Sequence, residues 1–279
     1  MRTGLLPYND SMIRLTREVR FSVDRDWAGH IEFSRPVTNS FAGWPSAVGL
    51  VPYLRLRATV SGEPDPITGY LCNIAVLDQL LREHAIPHTA AELKDHGWRL
   101  TAEHTVQAVW ERIVPLAPPR ATFEKLELLT TPFLRYAVLR EDPAMVSITQ
   151  QFEFSAAHRL HCPEFSDEEN RRTFGKCNNP NGHGHNYVLE VTLAGTPDPQ
   201  TGAVLSVPRF ERIVQELVID VLDHMHLNDD TEQFRLVNPS VENIARVIWG
   251  MLADHVTPAA LKTVRVYETP KTWAEYAGD

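Results

Sequence analysis

The sequence predicts an α+β chain made of two tandem copies of one unit, each a four-stranded antiparallel sheet with two helices on one face, in the order strand, strand, helix, helix, strand, strand. Three observations predict this. A segment recurs, since Gly62-Glu-Pro-Asp-Pro-Ile-Thr-Gly69 returns 133 residues later as Gly195-Thr-Pro-Asp-Pro-Gln-Thr-Gly202, and Phe21-Ser22 returns as Phe154-Ser155 at the same offset. A helical apolar pattern recurs as well. Trp110 and Trp249, like Glu103 and Glu242, sit 139 apart inside matching amphipathic stretches. Finally, runs of period-two alternation flank the helical stretches, as strands with one buried face require.

Taken in order, the first copy spans residues 1–143 and its second helix carries Thr105, Val106, Val109, Trp110 and Ile113 on one face. The boundary falls at Glu141-Asp-Pro-Ala144. The second copy, 144–279, opens on a strand with Val146, Ile148, Gln150, Phe152 and Phe154 facing one way. Its second strand runs from His183 to Leu193, with Tyr187, Leu189 and Val191 on one side. Phe210, Val214, Leu217, Val218 and Leu222 predict one continuous helix, and Val241, Ile244, Ala245, Ile248 and Leu252 a second. Val264–Glu268 and Trp273–Tyr276 close the unit as strands.

Composition narrows the function classes. With 43% apolar and 23% charged residues the chain matches a globular protein, and its net charge of −9 opposes binding to a phosphate backbone. No apolar run approaches the roughly 20 residues needed to cross a membrane, and the start lacks a signal-peptide core, so a cytoplasmic protein is expected. Three cysteines, Cys72, Cys162 and Cys177, cannot all pair, and free thiols are expected.

The chemistry concentrates in the second copy. His183 and His185 are two apart on a strand, so both imidazoles leave the same face and can reach one ion, with His158 after the neighbouring strand as third ligand. Three protein ligands leave a fourth position open, which suits catalytic zinc. The competing reading is a set of surface or hydrogen-bonded histidines. Cys177 lies six residues before His183, next to Lys176, where a nearby cation would lower the thiol pKa and make it a base or nucleophile. Alternatively it closes a structural site as a fourth ligand. Asp223-His224 pairs a carboxylate with an imidazole at a helix end, whereas His226 reads as a solvated loop residue. Glu268 falls on the apolar face of its strand and needs a partner, for which an aminopyrimidine ring is suited. Glu242 opens a helix, either as a ligand contact or as a helix-start residue.

These residues resemble a known signature. Phe154-Ser-Ala-Ala-His-Arg-Leu160, Ser166-Asp-Glu-Glu-Asn170 and Phe174-Gly-Lys-Cys-Asn-Asn-Pro-Asn-Gly-His-Gly-His-Asn-Tyr187 look like the 6-pyruvoyl-tetrahydropterin synthase and 6-carboxy-tetrahydropterin synthase family, and Leu222-Asp-His224, Glu242-Asn243 and Val266-Tyr-Glu-Thr269 extend the likeness over about the last 135 residues. The resemblance implies the tunnelling fold (T-fold), a homo-oligomer whose sheets join into a β-barrel with active sites between subunits. It implies that His158, His183 and His185 hold Zn(2+), that Cys177 is the proton-abstracting base completed by Asp223 and His224, and that Glu268, with Glu242 as a further contact, anchors the pterin. The implied reaction is a lyase step on 7,8-dihydroneopterin triphosphate with elimination of triphosphate. The carboxy enzymes of the queuosine pathway release acetaldehyde from the same substrate and have a shorter spacing from cysteine to His-Gly-His, so the spacing here favours the pyruvoyl product. A non-catalytic pterin-binding protein with structural zinc is the competing class.

At the offset of 133, His158, Cys177, His183 and His185 correspond to Arg25, Trp44, Leu50 and Pro52, and at the offset of 138 that the last strands follow, Glu268 corresponds to Thr130. The first copy is therefore expected to keep the fold without the metal or the catalytic residues.

Overall fold

The computed structural model describes residues 12–23 and 52–278, so that Arg25, Trp44 and Leu50 lie outside the described residues. The chain divides into two compact units, Met1–Val146 with Pro197–Ala203, and Ser147–Thr196 with Val204–Asp279.

The first unit runs β1 (Ile13–Ser22), β2 (Tyr53–Gly62), α1 (Ile74–Leu80), a π-helical segment Leu81–Ala85, α2 (Ile86–His96), α3 (Ala102–Ile113), β3 (Thr122–Leu129) and β4 (Leu134–Leu139). Its strands pair in sequence order and always antiparallel. Val19 and Phe21 of β1 face Leu56 and Leu54 of β2, and all four are buried, as alternation requires. Arg17 shares that face and donates to Asp78 of α1, its Nε 2.8 Å from Oδ1, which ties helix to sheet. Thr101 caps α3 by accepting from the His104 amide, a bond worth about 1 kcal/mol.

The second unit contains β5 (Asp142–His158, most of it in this unit), α4 (Asp167–Phe174), β6 (His183–Gly195), α5 (Val207–Val214), a π-helical segment Gln215–Ile219, α6 (Asp220–Leu222), β7 (Met225–His226), α7 (Leu227–Asp230), α8 (Val241–Leu252), β8 (Ala260–Thr269) and β9 (Thr272–Tyr276). The sheet order is β5-β6-β8-β9, with the short β7 parallel to β5 at Ala156 and Ala157. Tyr187 stacks on Phe154 at 4.9 Å, Leu189 and Val191 face Val266 and Val264, and Val264 faces Tyr276. Helices cover this face: Phe210 of α5 meets Phe152 edge-on at 5.9 Å, and Trp249 of α8 meets Tyr276 at 5.4 Å. By strand parity the same face ends at His158, His183, His185 and Glu268. The site therefore stands at one end of the apolar core.

The helix predicted as continuous through Leu222 is interrupted by the π segment. The π segment adds about one residue to its turn, so the buried face passes from Val214 and Val218 to Ile219 and Leu222 and leaves Leu217 only half-buried.

Local devices recur at the sequence offset of 133. Asp65 accepts from the amides of Ile67 and Thr68, and Asp198 does the same for Gln200 and Thr201; each turn ends on a glycine with φ +71°. Thr16 and Thr59 share a hydroxyl hydrogen bond of 2.9 Å, as Thr149 and Thr192 do at 3.0 Å. A register shift follows Thr59 in β2 and Thr192 in β6. Among the described residues, no helix is long and apolar enough to cross a membrane.

Candidate active site

Three imidazoles converge where β5 and β6 end. The ring centroids of His158 and His183 are 4.5 Å apart, those of His183 and His185 4.9 Å, and those of His158 and His185 5.2 Å, and one nitrogen from each lies within 4.8 Å of the others. His158 is fully buried, with Nδ1 2.7 Å from the carbonyl oxygen of Pro239. A carbonyl only accepts, so Nδ1 carries the proton and the Nε2 lone pair points at His183 Nε2, 3.0 Å away. Burial pushes His158 down to about 4, and the neighbouring His183, His185 and His226 push the same way against the Pro239 bond. His183 is lowered by burial and by His185. A lowered pKa favours the neutral imidazole, the form that ligates a metal, at His158 and His183.

The donor set fits a metal ion. His185 Nε2 is buried without a hydrogen-bond partner, and an orphaned group of this kind costs about 1–3 kcal/mol unless a ligand satisfies it. Three imidazole nitrogens are the kind of donor that a zinc ion takes. Glu268 adds a carboxylate, its Oε1 3.5 Å from Nε2 of both His158 and His185. It faces the histidines directly, a contact its sequence position did not disclose.

Tyr187 forms the floor, its ring 5.5 Å from that of His185 and 6.2 Å from that of His158. Burial raises its phenol pKa, and the charges of Glu268 and Cys177 raise it further.

Cys177 is placed by a short relay of backbone bonds. Ser166 and Glu169 form a reciprocal capping box that starts α4, and a 3-10 turn over Gly175–Asn178 follows the helix. The Cys177 carbonyl accepts from the Leu160 amide at 2.9 Å, and the Asn178 side chain donates to the Leu160 carbonyl at 2.7 Å. The half-buried thiol is thereby fastened beside the chain two residues past His158. Cys72 and Cys162 lie in other surroundings: burial raises the Cys72 thiol, and Cys162 donates to Glu164.

Asp223 and His224 form a bonded pair, Oδ2 to Nδ1 at 2.7 Å, and Asp223 Oδ1 accepts from the Ser155 amide at 2.7 Å. The Ser155 bond is the main cause of a lowered Asp223 pKa, with His224 contributing. His224 borders a cleft of about 590 Å³ that is also lined by Ser155, His185, Asn186, His226 and Asp230, among others. Cys177 does not line that cleft, and among the described residues its thiol makes no hydrogen bond to the pair.

One expectation needs revision, that for His226. His226 is packed rather than solvated: Nδ1 lies 3.0 Å from Asp229, its amide donates to Asp230, and its imidazole lies over Gly182. A histidine in a polar loop gave no signal of this, because the contact joins residues 44 apart. Glu242 is exposed in the first turn of α8 and does not line the cleft, in keeping with a helix-start residue. Arg171, Arg172 and Lys176 are exposed, and Arg159 donates to the Asn178 carbonyl at 3.4 Å.

Comparison with known proteins places this half. Residues 147–279 match the family model described as 6-pyruvoyl tetrahydropterin synthase. The human 6-pyruvoyl tetrahydrobiopterin synthase is 42% identical over 132 residues, which cover 47% of this chain and 91% of the human protein. A 6-carboxy-5,6,7,8-tetrahydropterin synthase from Synechocystis is 33% identical over 132 residues, 46% of this chain and 91% of that protein. The solved Caenorhabditis elegans 6-pyruvoyl tetrahydropterin synthase is 40% identical, covers 48% of this chain and 96% of its own, and superposes with a TM-score of 0.46. Through its second unit the chain belongs to the 6-pyruvoyl tetrahydropterin synthase family, whose members are lyases.

Proposed function

We propose that the chain is a zinc-dependent 6-pyruvoyl-tetrahydropterin synthase that acts on 7,8-dihydroneopterin triphosphate and eliminates triphosphate. The observation that carries this reading is the convergence of His158, His183 and His185 beside a tethered Cys177, in a unit 42% identical to human 6-pyruvoyl tetrahydrobiopterin synthase. His158, His183 and His185 would hold the zinc. A bound zinc ion supplies Lewis acidity, which polarises the substrate's side-chain hydroxyls and makes the adjoining carbon-bound proton more acidic. Cys177 is the base that takes that proton. The Asp223–His224 pair passes protons to and from the reacting side chain, with Asp223 fixing the imidazole tautomer through its 2.7 Å bond. Glu268 accepts from the amino and ring N–H groups of the pterin, and Tyr187 walls the pocket from water.

Because the thiol and the dyad are not bonded to each other within the described residues, we assign their meeting to a subunit interface, with Cys177 of one chain beside Asp223 and His224 of another in a homo-oligomeric barrel. The first unit is assigned as a second copy of the same fold without ligands, on the strength of the shared Asp turns, threonine pairs and strand shifts. A second reading, the 6-carboxy product with acetaldehyde release, draws on the 33% identity to the Synechocystis enzyme. Triphosphate release from dihydroneopterin triphosphate by the zinc-loaded chain, abolished in Cys177→Ala, tests the assignment; release that survives the substitution refutes the role of Cys177.

A further inference from the structure

The orientation of His158 depends on a carbonyl 81 residues away in the chain, so whatever holds that carbonyl acts on the site. Pro239 lies between Asn238 and Ser240, in the loop that leads into α8. A proline carbonyl at such a position has no helix or strand ladder to fix it. The loop is instead fixed by side chains. The Asn243 amide Nδ2 donates to the Asn238 carbonyl at 2.9 Å, and the Ser240 amide donates to the same oxygen at 2.8 Å. The Asn238 side-chain oxygen accepts from the His161 amide at 3.2 Å, which ties the loop to the chain leaving His158. Asn243 itself is half-buried in the first turn of α8, anchored by its amide to the Ser240 hydroxyl at 3.4 Å.

We propose that Asn243 is a positioning residue for the metal centre: by holding the Asn238 carbonyl it sets the Pro239 carbonyl that fixes the tautomer and ring plane of His158. The inference rests on reading His158, His183 and His185 as metal ligands. Groups that orient a ligating histidine through its second nitrogen change metal affinity about 10–100-fold when removed. Asn243 acts one bond further out than such a group, through a rigid proline. Its loss frees the carbonyl to turn away, and His158 then pays to leave Nδ1–H unpaired in a buried site or to switch tautomer.

The test is zinc affinity of the full chain by chelator competition, together with the visible absorption of the cobalt-substituted protein. Asn243→Ala is expected to weaken zinc about tenfold and to change the cobalt bands. Asn243→Asp keeps the side-chain volume but sets an acceptor against the Asn238 carbonyl, and serves if the alanine variant does not fold. Ser240→Ala removes the α8 cap and keeps the Asn243–Asn238 bond, so it lowers the melting temperature while leaving affinity within about threefold. Unchanged affinity and cobalt spectrum in folded Asn243 variants overturn the inference and leave the metal reading intact. Equal losses in Ser240→Ala and Asn243→Ala overturn it too, since general loosening of the helix start would then explain both. Failure of the wild-type chain to bind zinc or cobalt at all overturns the metal reading itself.

Discussion

His226 occupies the space above Gly182: a Cβ placed on Gly182 would stand 2.5 Å from His226 Nε2. Gly182 also has φ +70°, a conformation that costs an L-residue roughly 1–2 kcal/mol. The loop from Cys177 to His183 therefore reaches the histidine cluster only with glycine at this point. Gly182→Ala is expected to lower unfolding free energy by about 2 kcal/mol, the sum of backbone strain and a displaced imidazole. Adding His226→Ala recovers the steric part but not the strain. Denaturant titration of both variants checks this, and no loss in Gly182→Ala contradicts the packing.

Replacement of Cys177 separates chemistry from structure. Cys177→Ala is expected to retain zinc, since three histidines supply the site, while turnover falls about 10²–10⁴-fold as for loss of a general base. Metal content and steady-state rates measured on the same preparation decide it. Loss of zinc in this variant would make the thiol a ligand and the site a closed structural one.

Glu268 approaches two histidines and is also the proposed pterin anchor. Glu268→Gln keeps its shape and removes its charge. With the histidine ligands intact, zinc content is expected to stay at the wild-type level while KM rises at least tenfold, because a charge-assisted pair of bonds to the pterin is lost. A fall in zinc content with KM unchanged would make Glu268 a ligand instead.

Asp223 gives a pH test with a definite sign. Its folded pKa is depressed, chiefly by the Ser155 amide, so its contribution to stability is present above the unfolded carboxylate value of about 3.9 and disappears as pH falls through the lower folded value. The stability difference between wild type and Asp223→Asn should shrink as pH falls below about 4. Urea melts from about pH 5 downward measure it. A difference that grows below about pH 4 would contradict the bond pattern.

Much of the site was legible because strand geometry has an exact period of two. His183 and His185 had to share a face, and Phe154 facing Tyr187 is the pairing that puts His158 beside them. The repeated Asp-Pro-x-Thr-Gly turn was legible because it is local chemistry, an aspartate accepting from the next amides. What stayed hidden depends on contacts between distant residues. The Pro239 carbonyl behind His158, the His226 ring over Gly182 and the approach of Glu268 to the histidines follow from packing, which no periodicity encodes. The π segment of the second unit was hidden for another reason: Phe210, Val214, Val218 and Leu222, all buried, keep the spacing of a regular helix across it.

The central claim concerns the product. The zinc-loaded 279-residue chain, incubated with 7,8-dihydroneopterin triphosphate and followed by mass spectrometry, is expected to yield 6-pyruvoyl-tetrahydropterin and inorganic triphosphate in equal amounts. Appearance of 6-carboxy-tetrahydropterin with acetaldehyde, or recovery of unchanged substrate, would contradict it.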